Sequence, residues 1–226
     1  MAGLQTITEP TVEPITVIEA REHLRLDDDV DQTQVMAYVM AAREWCENYT
    51  GKVFINRTMR QYLDSSPASA NNGFDGYKVA HQNVLVGGQS SIEIAKSPVV
   101  SVSSVKYYND AGDESTWSAS NYYVDTAREV PRIVLLDSGS WPTDLRGANG
   151  LEINFTAGYG SSPSHIPEPI RVAILQYMTF LYEHRGDFER YPAPTPPAVL
   201  RTLLQPYKSM RFGSTPYDNV LRSGIS

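Results

Sequence analysis

The sequence predicts an α+β protein: a helical body built from the N-terminal and C-terminal segments, with an antiparallel β-rich domain inserted between them. Three observations predict it. Apolar residues recur at helical spacing between residues 32 and 49 and again between 167 and 185. Between residues 53 and 156 the apolar period switches to two, punctuated by Gly-, Asn- and Asp-bearing turns. A short alternating strand at 151–156 then passes through Gly158, Gly160 and the prolines 163 and 167 directly into the second long helix. The divisions that follow are an arm and body helices at 1–52, the β domain at 53–156, the long helix with its flanks at 157–191, and a Pro-rich linker and tail at 192–226.

Taken in order, residues 1–15 read as an extended arm bearing Thr and Pro. Thr16-Val17-Ile18-Glu19 is a capping box that opens a short helix to about Leu24, and Ile15 stands where a hydrophobic staple would. Four aspartates follow, Asp27, Asp28, Asp29 and Asp31. They lack the Gly and Glu spacing of a calcium loop, so a helix cap in a solvated turn is the expectation and no metal site is assigned. The second helix carries Val35, Tyr38, Val39, Ala42, Trp45, Cys46 and Tyr49 on one stripe, and Gly51 suits its C-terminal cap. Thr58 to Leu63 alternates as a strand. Residues 65–90, rich in Ser, Asn and Gly, form a long loop or inserted hairpin. Strands follow at 92–94, 99–107, 121–125, 132–136 and 151–156, with a turn at Asn109-Asp110-Ala111-Gly112.

The helix at 167–185 is apolar over an unusual breadth. Ile170, Ala173, Ile174, Tyr177, Met178 and Leu181 make one stripe, while Val172, Leu175, Thr179 and Tyr182 make a second on another face. A helix of that kind is covered on several sides. A contact with a neighbouring chain is the expectation, with Val172, Leu175, Tyr177, Leu181 and Tyr182 in the seam. Beyond Gly186 the prolines at 192, 194, 196 and 197 stiffen the chain. A short helix near Leu203 and Leu204 follows, then scattered Tyr207, Met210, Phe212 and Tyr217, a tail expected to dock on something.

Composition narrows the function classes. The formal net charge of −7 argues against broad binding to a nucleic-acid backbone, which requires clustered Lys and Arg. The lone Cys46 sits in a helical pattern and reads as a small buried hydrophobe. No apolar run reaches transmembrane length and the first residues lack a signal-peptide pattern, so a cytoplasmic origin is expected. His23, His81, His165 and His184 are scattered outside any metal-ligand spacing. Gly158-Tyr159-Gly160 lacks the third glycine of a dinucleotide loop and reads as a turn needing positive φ. Neither a catalytic site nor a cofactor is assigned. Tyrosine outnumbers phenylalanine 14 to 6, a usage that suits half-buried and interfacial positions.

Three stretches together resemble the head-tail connector (adaptor, head-completion) proteins of tailed phages, a family also found in prophages and gene transfer agents. The first is Pro14-Ile15-Thr16-Val17-Ile18-Glu19-Ala20 through His23-Leu24-Arg25, with Asp27-Asp28-Asp29 and the helix from Ala41-Ala42-Arg43-Glu44 to Thr50-Gly51. The second is Ser97-Pro98-Val99-Val100-Ser101-Val102 to Tyr108, followed by Asn121-Tyr122-Tyr123-Val124-Asp125. The third runs from Ile153-Asn154-Phe155-Thr156-Ala157-Gly158-Tyr159-Gly160 through Ile166-Pro167 to Leu181-Tyr182-Glu183-His184-Arg185-Gly186. The resemblance implies a structural, non-enzymatic ring, expected to be dodecameric as in that family, located at the neck of a particle assembled in the host cytoplasm. Its partners would be further copies of itself, the portal protein, and a stopper or tail-completion protein, with DNA passing through the lumen without sequence-specific binding and with no membrane contact. Leu203, Leu204, Tyr207, Met210, Phe212 and Tyr217 would form the portal-docking arm. The runner-up is a β-rich receptor- or glycan-binding module of a tail.

Overall fold

The computed structural model describes residues 3–26, 32–64, 91–186 and 195–209. It shows the α+β architecture expected, with helices from both ends of the chain and an antiparallel β region between them in sequence. The described residues divide into two compact units. One holds residues 3–9, 57–64 and 91–157; the other holds 10–26, 32–56, 158–186 and 195–209.

The β unit contains two antiparallel sheets. Strands β1 (Gly3–Thr6), β2 (Arg57–Leu63), β3 (Ser91–Glu93), β4 (Val99–Tyr108), β5 (Glu114–Thr116), β6 (Tyr122–Asp125), β7 (Arg132–Leu135) and β8 (Leu151–Ala157) are arranged in the orders β1-β2-β8-β4-β5 and β3-β7-β6. Alternation settles the register: Leu151, Ile153 and Phe155 of β8 are fully buried, as are Val105 of β4 and Ile133 of β7. A one-residue slip would send all of β8's apolar set to the other face. Gln61, buried beside Met59 and Leu63, donates to the Glu93 carbonyl (3.1 Å) and accepts from the Ala95 amide (2.7 Å). Both halves of its amide are therefore satisfied, and it links β2 to the end of β3.

The opposite face of the larger sheet carries a polar network. Arg60 lies 3.2 Å from Glu152, and Asn154 donates to the same carboxylate at 2.8 Å. The Tyr108 hydroxyl lies between Glu152 (2.8 Å) and Glu114 (3.0 Å), and Lys106 donates to Glu114 at 2.7 Å. Burial and the two carboxylates push the Tyr108 hydroxyl well above its usual pKa, so it remains a donor at every physiological pH. Glu152 is only 2% exposed and is tolerated there because several donors surround it.

The helical unit contains α1 (Val17–Leu24), α2 (Gln32–Thr50), α3 (Glu168–Glu183) and α4 (Ala198–Leu204). Thr16 and Glu19 form the expected capping box, with the Glu19 amide donating to Thr16 Oγ1 (3.2 Å) and the Thr16 amide to Glu19 Oε2 (2.8 Å). Gly51 ends α2 at φ +74°. The core joins Ile15, Val35, Val39, Ala42 and Cys46 to Ile170, Ala173, Ile174 and Met178, and adds Leu200 and Leu204 from α4.

Several expectations are corrected. The first residues are not all a free arm, since Gly3–Thr6 pairs with β2 at the sheet edge. Leu204 was expected in a docking arm; it is fully buried in its own unit's core and has no surface to offer a partner. The chain also supplies more cover for the long helix than its sequence suggested, because α1, α2 and α4 all pack on α3. Gly158 does adopt positive φ (+145°), where a Cβ would meet Asn56 at 2.5 Å, but Gly160 serves close approach instead: a Cβ there would strike the His165 ring. The loop at 65–90 and the aspartates 27–29 and 31 lie outside the described residues.

Candidate subunit interface

The candidate surface is built on α3 and its neighbour α2. Ile170, Ala173, Ile174 and Met178 recur at helical spacing and are fully buried, which fixes how α3 is rotated. Rotation by that stripe leaves Val172 41% exposed and Leu175, Tyr177, Leu181 and Tyr182 half-buried. The five residues expected in a seam are thus brought to the outer flanks of one helix, but not all are equally free.

Two of them are already engaged by α2. Tyr177 stacks on Trp45 with ring centroids 4.4 Å apart, and Tyr182 meets Tyr38 edge-on at 5.9 Å. The stacking extends in a row: Tyr49 on Trp45 (5.5 Å), Trp45 on Tyr177 and Tyr177 on Phe180 (5.9 Å), with His184 tilted against Phe180 at 4.5 Å. Offset aromatic contacts of this kind add about 0.5–1.5 kcal/mol each beyond the area they bury. Arg185 lies over Tyr182 at 4.2 Å and Lys208 over Tyr49 at 4.9 Å, placing cations on ring faces. The row holds α2 to α3, and every residue in it is half-buried. Beside it, a cleft of about 290 Å³ lies between α3 and the approach to α4, lined by Gln176, Thr179, Phe180, Glu183, His184, Thr195 and Pro197.

Buried ion pairs give this surface a rigid backing. Arg43, 2% exposed, donates to Glu13 at 2.7 Å and to Glu47 at 3.0 Å, and Glu47 also accepts the Phe54 amide at 2.8 Å. Burial disfavours the guanidinium, yet Glu47 and Glu13 outweigh it and hold the charge more firmly than on a free arginine. The Arg43–Glu47 pair thereby ties the segment before α1, through Glu13, and the backbone just after α2, through Phe54, to the same helix. On α3, Arg171 bonds Glu168 (3.0 Å), the Pro14 carbonyl (3.3 Å) and Glu19, anchoring the first turn of α1. The Cys46 thiol, buried and beside Glu47, is pushed up to about 12 and stays protonated.

Leu203 and Tyr207 are half-buried against the core, and Ser209 donates to the Thr50 carbonyl at 2.8 Å, so residues 197–209 fold back over the end of α2. Met210, Phe212 and Tyr217 lie outside the described residues. Sequence reasoning missed four exposed apolar residues of this unit: Ile18 (68%), Val199 (46%), Met40 (44%) and Val12 (39%). Single exposed apolar residues leave no periodic trace, and Ile18 lies inside the capping box itself. Among the described residues no three of His, Cys, Asp and Glu come together to hold a metal ion, and no helix is long and apolar enough to cross a membrane.

No family model and no curated protein matches the sequence. Solved structures do match its fold. A chain in the virion of a native gene transfer agent (GTA) particle superposes with a TM-score of 0.70 and 23% identity, over 92% of this chain and 96% of that one. A chain in the neck of an empty GTA particle, computed with C6 symmetry, gives 0.69 and 24% identity over 93% and 97%. A chain in the neck of a native GTA particle, computed with C12 symmetry, gives 0.67 and 24% identity over the same shares. The likeness spans both units and nearly the whole of each compared chain.

Proposed function

We propose that this chain is a structural head-tail connector: one subunit of a ring of about twelve copies, seated beneath the portal of a phage-like particle. In this role it extends the DNA channel and joins the capsid to a stopper or tail-completion protein. The observation that carries the proposal is the fold match over more than nine-tenths of both chains to components of GTA necks, one of them computed with C12 symmetry. Three features of the molecule support it. The long helix keeps apolar and aromatic side chains at its flanks after its own core is complete. The chain is acidic overall, which suits a channel wall that DNA slides past. The helical unit is cross-braced by buried ion pairs, as a load-transmitting joint requires.

A glycan-binding role for the β unit has less support. Trp117 and Trp141 border a cavity of about 380 Å³, but they stack on one another at 4.8 Å and are only 5% and 7% exposed. Their faces are spent on the core and offer no platform for a sugar. The portal-docking role is left to Leu203, Tyr207, Met210, Phe212 and Tyr217, since Leu204 is committed to the core.

The genetic experiment is direct. Particles made without this gene should accumulate as DNA-filled heads and separate tails, restored to joined particles when the gene is supplied in trans. Normally joined particles in its absence would refute the proposal.

A further inference from the structure

Among the described residues the five-stranded sheet has two open edges, and they match. On one side, β1 pairs with β2 and with no other described strand, and its neighbourhood exposes Leu4 and Ile7 by 38% and 42%. On the other side, β5 covers only Lys106, Tyr107 and Tyr108 of the ten-residue β4, with the Trp117 amide reaching Val105. From residue 99 to residue 104 no described strand lies alongside β4 on the side away from β8.

That stretch, Val99-Val100-Ser101-Val102-Ser103-Ser104, contains neither charge nor proline. Exposed edges are ordinarily guarded by such residues, because their free N–H and C=O groups template another strand. Here the protection is limited to two register shifts, between Val99 and Ser101 and between Val102 and Ser104. Bulges raise local twist and discourage a long flat partner; a strand of four residues, the length of β1, suits them. Val100 stands 54% exposed on the open stretch.

We propose that residues 99–104 of β4 pair with β1 of a second copy, continuing the sheet from one subunit to the next. The strand directions allow it. Adjacent strands in β1-β2-β8-β4 are all antiparallel, so β1 and β4 run in opposite senses. A second copy laid beside the first in the same sense then presents its β1 antiparallel to β4, the more stable pairing. Two different patches meet in this joint, so it is a heterologous contact, which repeats head to tail and gives a ring when the rotation between copies closes. The proposal rests on the connector reading and names the contact that would close that ring.

Cysteine pairs test it. Gln5 lies opposite Arg60 and Ser101 opposite Thr156, so both stand on the polar face of the sheet, and both are exposed. Within one chain they are three strand spacings apart, about 14 Å, beyond the roughly 7 Å that a disulfide spans. Cys46 is buried and does not compete. Gln5→Cys/Ser101→Cys and Gln5→Cys/Ser103→Cys, chosen to bracket the register, should give in at least one case a non-reducing ladder of multiples of the chain after oxidation of assembled rings. Removing residues 1–8 should leave a folded monomer and lower ring yield at least tenfold. Rings that form at wild-type yield without residues 1–8, or that cross-link in neither variant, overturn the strand joint and leave the connector reading standing. Wild-type chain that forms no ring, alone or on the portal, overturns the connector reading and the joint with it.

Discussion

At the scale of single residues, charge placement explains more of this molecule than its apolar content alone would. Arg43 and Glu47 are spaced i,i+4 on α2 and, by sequence, belong to a solvated face; instead they are buried, because Glu13 and the Phe54 amide arrive from distant parts of the chain to satisfy them. No local pattern announces that. The capping box was legible because its two partners lie three residues apart, and it also yields a pH prediction. Burial raises the Glu19 carboxyl pKa, but hydrogen bonds from Thr16 and the Arg171 guanidinium outweigh it and set the folded value below the ordinary 4.5. A depressed carboxylate adds stability that is present above the unfolded pKa and is lost as pH falls through the folded one. Glu19→Gln should therefore lower the urea midpoint at pH 7, and the difference from wild type should shrink as pH falls below the ordinary carboxylate pKa and vanish below the depressed folded one. A constant difference between the two proteins from pH 7 to pH 3 would show that the charge on Glu19 is not what stabilises this turn.

At the scale of elements, periodicity carried the helices and the alternating strands, and their observed limits fall close to those expected. What it could not carry was adjacency. That β8 lies between β2 and β4, that Gly3–Thr6 is a strand, and that α4 packs on α3 all depend on residues far apart in sequence. The prolines before α4 read as the start of an arm, yet Leu200 and Leu204 complete the core. The same limit applied to α3: its two apolar stripes were visible, but which one faced its own core was not. With the rotation known, the stripes can be tested separately. Val172→Glu places a charge on an exposed position and exchanges a β-branched residue for a better helix former, so stability should change by no more than about 0.5 kcal/mol. Ring assembly should nevertheless fall sharply. Ile174→Glu buries a charge without a partner and should leave little folded protein. Thermal denaturation together with sedimentation separates the two, and a Val172→Glu chain that assembles normally would remove this face from the seam.

At the scale of the whole molecule, the helical unit has a braced core and aromatic flanks, and the β unit has two sheet edges that no described strand covers. Fold similarity to chains in GTA necks covers both units rather than one module. The central claim is that the chain closes into a ring on a portal. The most direct measurement is native mass of the chain mixed with its cognate portal, with negative-stain images of the same sample and a chain lacking residues 210–226 as the control. The expected result is a single complex carrying about twelve chains per portal ring, seen as a closed annulus, and a truncated chain that stays folded but no longer joins the portal. A full-length chain that stays monomeric beside an intact portal ring would contradict the account.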